Sequence, residues 1–244
     1  MKNLHAACCG EPDRRRFLSA SLVAGLAGVG SATASSSAQA ASLSEVRRNA
    51  MTPDEVVKFI LDGNARFLAG VHRQRDFLAE MRSSASGQHP AAVVLSCMDS
   101  RASVEVICDL GLGDTFSARV AGNAVNEDML GSMEFACAAA GAKVVMVMGH
   151  TACGATKGAI DNVVLGNLTL LLARFKSAID ATAYEGARTS KNYAFVDAVT
   201  KTHVQQALPL IRQRSPTLAA LEAEGKIKIV GAMYDIASGK VTLV

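Results

Sequence analysis

The sequence predicts an α/β fold: a mainly parallel central sheet of about four strands flanked by helices, with an antiparallel edge strand added at the C-terminal end. Three observations carry this reading. The apolar runs at 91–95 (AAVVL) and 143–148 (KVVMVM) are short and β-branched, as strands covered on both faces are. Helical patterns separate and follow them, and strand, helix, strand in succession is the arrangement of parallel strands joined by crossovers. Half of the 244 residues are hydrophobic, which supplies apolar material for a sizeable core.

Residues 1–40 read as an address and not as part of that fold. Asp13-Arg-Arg-Arg-Phe-Leu18 has the form of a twin-arginine export motif, a mildly apolar stretch rich in Ala and Gly follows at 19–30, and Ala38-Gln-Ala40 offers a small-x-small cleavage pattern. Cleavage is expected after Ala40. That leaves 41–244 as a single domain, periplasmic or secreted, which leaves the cytoplasm through export machinery after folding. The apolar stretch is too short to act as a stable membrane span. Of 25 basic and 22 acidic side chains, four and two fall in this segment, so the remainder carries a near-neutral 21 and 20 and no electrostatic footprint for nucleic acid.

The domain opens with an N-terminal helical arm over 41–82. Its principal helix starts at Thr52-Pro-Asp-Glu55: Thr52 is placed to cap, Pro53 fits the first turn and Glu55 stands three residues on from the cap. The helix runs to about Ala69, with Gly70 as its stop. A polar stretch at 83–90 leads into the first strand. A helix is expected over 103–110, a short strand over 115–119, a helix over 127–140 and the second buried strand over 143–148. The C-terminal half reads as helices over 167–180, 191–212 and 216–224, closed by strands at 226–234 and 241–244 with a Ser-Gly turn at 238–239.

In parallel sheets ligands collect at the carboxyl ends of the strands. Both reactive clusters of this sequence lie there: Cys97-Met-Asp-Ser-Arg101 and Gly149-His-Thr-Ala-Cys-Gly154. His150 and Cys153 are three apart, a spacing at which two side chains meet one ion at the start of a helix. Cys97 completes a set of two thiolates and one imidazole suited to zinc. With no fourth Cys or His nearby, the last position is left for water or for Asp99. That is the arrangement of a catalytic zinc, which lowers the pKa of its water to about 7. Asp99 and Arg101 share strand parity with Cys97, so continued extended geometry would project them to the same side, where Arg101 would keep the carboxylate ionised and off the metal.

Each of these residues taken singly is more simply a structural histidine, a core cysteine or a surface ion pair. Cys8 and Cys9 leave with the export segment, and the remaining cysteines, Cys97, Cys108, Cys137 and Cys153, also admit disulfides in an oxidising compartment. Cys108 and Cys137 lie in apolar helical patterns and read as buried packing residues.

Cys-x-Asp-x-Arg at 97–101, Ala-Gly-Asn at 121–123 and His-x-x-Cys at 150–153 together strongly resemble the β-class carbonic anhydrases. The resemblance runs through most of the mature chain: Glu55 to Gly70, ending GNARFLAG, is similar to the family's N-terminal helix, and Tyr234-Asp-Ile-Ala-Ser-Gly-Lys240 to its final hairpin. It departs at Met98, Ala102 and Val120, where Ser, Val and Asn are more usual in the family. It implies one zinc per subunit held by Cys97, His150 and Cys153, with Asp99 and Arg101 as the catalytic pair and Asp99 as a fourth ligand in a closed state. It further implies substrate contacts from Gln88, Phe116, Gly122 and Phe135, with Gln88 and Phe116 acting across the interface of a homodimer or dimer of dimers. The chain has no Trp, which speaks against the bicarbonate-inhibited subtype. The implied activity is reversible hydration of carbon dioxide to bicarbonate and a proton, by attack of zinc-bound hydroxide: a carbonate dehydratase. The alternatives are hydrolysis of carbonyl sulfide or carbon disulfide on the same scaffold, and a non-catalytic zinc-stabilised protein.

Overall fold

The computed structural model of the protein describes residues 42–244, so the export motif, Cys8, Cys9 and the Ala38-Gln-Ala40 pattern lie outside the described residues. Among the described residues the apolar runs become the middle of a five-stranded sheet: β1 (Ala92–Ser96), β2 (Thr115–Arg119), β3 (Val144–His150), β4 (Lys228–Tyr234) and β5 (Val241–Leu243). The order is β2-β1-β3-β4-β5, with the first four parallel and β5 antiparallel to β4, as the sequence predicts. Every residue of β1 and β3 is buried, which is why both read as continuous apolar runs.

The arm consists of α1 (Glu45–Ala50), α2 (Pro53–Leu68) and α3 (Phe77–Ser84). At the start of α2 the Thr52 hydroxyl accepts the Glu55 N–H at 3.2 Å while the Glu55 carboxylate accepts the Thr52 N–H at 2.7 Å, the reciprocal cap expected. Beyond β1 come α4 (Val104–Ile107) and, after β2, α5 (Glu127–Glu134). Between β3 and β4 lie α6 (Gly154–Ile160), α7 (Gly166–Ala173), α8 (Lys176–Ala181), α9 (Tyr193–Arg214) and α10 (Pro216–Ala223). Alternate strand side chains feed two cores. Val94, Val144, Met146 and Met148 meet Val56, Val57 and Ile60 of α2 on one face, while Val93, Leu95, Val145 and Val147 meet Met133 of α5 and Val204, Ala207 and Ile211 of α9 on the other. No helix among the described residues is long and apolar enough to cross a membrane.

Three helices differ from their sequence readings. The expected helix over 103–110 shortens to α4, because Asp109 turns out to φ 44° and places its carboxylate against Arg66 Nε at 2.6 Å. The helix expected over 127–140 gives way after Glu134 to a wider π turn at Phe135–Ala139, closed by the Ala140 N–H on the Phe135 carbonyl. An Ala-rich apolar pattern does not distinguish these two windings. The helix expected over 167–180 breaks into α7 and α8 where Phe175 turns inward to become fully buried.

From β1 the chain moves to β2 on one side, and from β3 to β4 on the other. The carboxyl ends of β1 and β3 therefore flank the point at which strand order reverses, the crevice in which such sheets hold ligands.

Candidate metal centre

Cys97 follows the last residue of β1, His150 is the last residue of β3, and Cys153 stands at the N-cap of α6. Ser96 pairs with Met148, so the register places Cys97 level with Gly149, one residue before His150. The sulfurs and one imidazole nitrogen of this trio lie within 4.8 Å of one another, and all three residues are buried. The four cysteines among the described residues are free, so the disulfide alternative is not realised there; Cys108 and Cys137 are buried apart from the trio, as packing residues.

The donor set fits a soft dication. His150 Nδ1 lies 2.9 Å from the Thr151 carbonyl, which can only accept, so Nδ1 carries the hydrogen and Nε2 the lone pair. That Nε2 is buried without a hydrogen-bond partner, a state that costs free energy unless something occupies it. Cys97 Sγ receives the backbone N–H groups of Gly122 at 3.2 Å and Asp99 at 3.4 Å, both of which favour a thiolate. Of the two thiols Cys153 ionises first, pulled down to about 6 by the hydrogen bond from Cys97 and helped by the Thr156 N–H and hydroxyl, while Cys97, the donor in that bond, is pushed up to about 12. Two sulfurs sharing one proton are ready to exchange it for a cation.

Asp99 is tethered beside this set. Its Oδ1 accepts from the Arg101 backbone N–H at 2.9 Å and from Nε at 3.0 Å, and its Oδ2 accepts from Nη2 at 2.8 Å. These bonds hold the carboxyl well below the usual carboxylate range. Oδ2 lies 3.9 Å from His150 Nε2. The pairing is as expected, but its origin is not: β1 stops at Ser96 and residues 99–101 form a turn, so a local turn and not strand parity aligns the two side chains. Arg119, which sequence reasoning missed, fixes that turn by donating from Nε to the Cys97 carbonyl at 3.0 Å and from Nη2 to the Asp99 carbonyl at 2.6 Å. Its place two residues ahead of Ala121, at the head of the Ala-Gly-Asn motif with only Val120 between, was the available signal.

The family profile described as carbonic anhydrase matches residues 92–241, which span both ligand clusters and all four parallel strands. The chain belongs to the β-class carbonic anhydrases. It is 34% identical over 188 residues to the carbonic anhydrase of Mycolicibacterium smegmatis and 32% identical over 188 residues to carbonic anhydrase 2 of Mycobacterium tuberculosis, each match covering 76% of this chain and 90% of the relative. The β-carbonic anhydrase CafA of Aspergillus fumigatus superposes with a TM-score of 0.59 at 27% identity, covering 67% of this chain and 79% of that one. The fold is also that of a tetrameric β-carbonic anhydrase of Sordaria macrospora, with a TM-score of 0.58 at 22% identity over 78% of this chain and 92% of that one.

The other residues singled out in this carbonic anhydrase sequence are placed as follows. Gly122 takes φ 62°, and a Cβ there would meet Phe175 Cζ at 2.2 Å, so its backbone N–H reaches Cys97 only because it lacks a side chain. Phe116 and Phe135 meet edge to face at 6.0 Å and line a groove of about 730 Å³ with Arg119 along the outer side of β2. Gln88 is exposed in the loop before β1, at the amino end of a strand whose carboxyl end carries Cys97. At about 3.3 Å per residue, the five steps from Ala92 to Cys97 put roughly 17 Å of strand between that loop and the trio in its own subunit. The loop between His150 and Cys153 is anchored from two sides. Thr151 Oγ1 donates to Asp235 Oδ1 at 3.1 Å and the Ala152 N–H donates to Asp197 Oδ1 at 2.7 Å.

Proposed function

We propose that this chain is a zinc-dependent carbonate dehydratase that catalyses the reversible hydration of carbon dioxide to bicarbonate and a proton. The observation that carries the reading is the meeting, at the strand-order reversal, of Cys97, Cys153 and an unpartnered His150 Nε2 with a carboxylate tethered 3.9 Å away. We assign Cys97, His150 and Cys153 as the ligands of one zinc per subunit. When bound, zinc supplies a Lewis acid that brings the pKa of water to about 7.

The remaining chemistry belongs to the chain. Asp99, kept ionised by Arg101, accepts a hydrogen bond from the attacking water and aims its lone pair at the substrate carbon. Arg101 occupies both carboxylate oxygens, which restrains Asp99 from taking the fourth ligand position. The Gly122 N–H steadies the Cys97 sulfur. A merely structural zinc would usually recruit a fourth Cys or His, and no such residue joins the trio among the described residues. Hydrolysis of sulfur analogues is not favoured, since the matched relatives are carbonic anhydrases.

We further propose a homodimer or dimer of dimers, in which the unpaired outer edge of β2 and the Phe116–Phe135 groove face a second copy and Gln88 reaches that copy's metal centre. The distance of Gln88 from its own trio supports this arrangement, as does the tetrameric state of the Sordaria relative. Export of residues 41–244 to the periplasm or beyond is proposed on the sequence of residues 1–40 alone. Stopped-flow hydration of carbon dioxide tests the central reading. Zinc-loaded protein is expected to turn over, chelated protein to lose that rate and added zinc to restore it. Zinc-loaded, folded protein without a rate above buffer would overturn it.

A further inference from the structure

Ala152 separates two of the assigned ligands and adopts φ 57°, the left-handed region that disfavours any residue with a Cβ. A non-glycine residue keeps that conformation only where its surroundings impose it. Here the imposing contact comes from far along the chain: Asp197 on α9 accepts the Ala152 N–H through Oδ1 at 2.7 Å, a charge-assisted bond. The helix that carries Asp197 is itself well fixed. Val199, Thr200, Val204 and Ile211 of α9 are buried, and one turn beyond Asp197 the Thr200 hydroxyl meets that of Thr156 on α6 at 2.9 Å. On the other flank, Thr151 is held by Asp235 and by the Ile236 N–H.

We infer that Asp197 is a positioning residue that sets the geometry between His150 and Cys153, and thereby governs how tightly the centre retains its zinc. The inference rests on the assignment of those two residues as ligands. It follows from the covalent path. The His150 Nε2 and Cys153 Sγ atoms approach one another only while the chain between them reverses, and the left-handed Ala152 is the residue that reverses it. With Asp197 removed, Ala152 loses its acceptor and relaxes toward right-handed backbone, which swings Cys153 away from His150. Groups that orient metal ligands from behind typically change metal retention by about 10- to 100-fold.

Zinc release from the purified, zinc-loaded chain into an excess of a chromogenic chelator reads this directly, with no recourse to turnover. Asp197→Ala is expected to release zinc about 10- to 100-fold faster than the unsubstituted chain. Asp197→Asn, which keeps an oxygen acceptor, is expected to stay close to the unsubstituted rate. Adding Ala152→Gly to Asp197→Ala is expected to recover most of the loss, because glycine adopts the left-handed conformation unaided. Release from Asp197→Ala at the unsubstituted rate would overturn the inference, and so would a double variant, or an Asp197→Asn variant, as leaky as Asp197→Ala. If Asp197→Ala does not fold, the double variant decides: a folded, zinc-retaining protein supports the role, and failure to hold zinc overturns it. An unsubstituted chain that binds no zinc, or a Cys153→Ser variant that retains it, would instead refute the ligand assignment itself.

Discussion

Gly122 is the residue whose replacement most directly tests how the centre is built. Alanine at this position would have to hold φ 62°, ψ 27° with a Cβ attached, at a cost of about 1–2 kcal/mol. Its Cβ would fall 2.2 Å from Phe175 Cζ and 3.0 Å from the Ala155 Cβ. Phe175 cannot retreat. It is fully buried and its ring is stacked on His203 at 4.1 Å between centroids, with the imidazole held neutral because burial pushes its pKa down to about 4. Overpacking of this kind costs about 1–3 kcal/mol. Gly122→Ala should therefore lose about 2–5 kcal/mol, or on the order of 10 °C in melting temperature for a domain of this size. The displaced backbone N–H should also weaken zinc retention through Cys97. Urea unfolding of the metal-loaded protein with zinc content measured in parallel checks both. A variant within about 0.5 kcal/mol of the unsubstituted chain, with zinc fully retained, would refute the reasoning, because neither strain nor overlap would then be real.

Asp99→Asn removes the charge and the two-pronged acceptor for Arg101 while preserving shape, and should lower the stopped-flow hydration rate by about 100- to 10,000-fold with zinc content unchanged. Asn64 is buried, donating to the Ile107 carbonyl at 2.8 Å and the Gly239 carbonyl at 2.9 Å and accepting the Val241 N–H at 2.8 Å. Asn64→Ala strands three backbone groups and should cost about 3 kcal/mol or more in urea unfolding. Arg212 and Glu222 join α9 to α10 through bonds of 2.6 and 2.9 Å, and Arg212 holds the Glu222 carboxyl below its ordinary value. A depressed folded-state pKa adds stability above the unfolded value, about 4.3, and loses it as pH falls through the folded value. Glu222→Gln should thus cost about 0.5–1 kcal/mol at pH 7, a figure discounted for partial exposure, and the difference should fade below about pH 4 when unfolding is followed across pH.

The local sequence determined the donors and the class of fold, because both depend on short-range chemistry. Thiolate, imidazole and carboxylate carry their ligand properties with them, and two β-branched runs buried on both faces admit little besides central parallel strands. The capping box at Thr52 and the Asp99–Arg101 pair are contacts within a few residues, so they too were legible, although the turn that aligns the pair was not. Tertiary structure decided everything that depends on distant segments. The β1–β3 pairing brings together the strand ends that carry Cys97 and His150, Arg119 crosses from β2 to hold the Asp99 turn, and Asp197 reaches the Ala152 N–H from α9. The same structure puts Gln88 at the far end of β1 from the trio in its own subunit. Such contacts pair groups that carry no mutual signal in the chain, since a backbone N–H accepts any well-placed oxygen and only the packing of helices against the sheet says which one arrives.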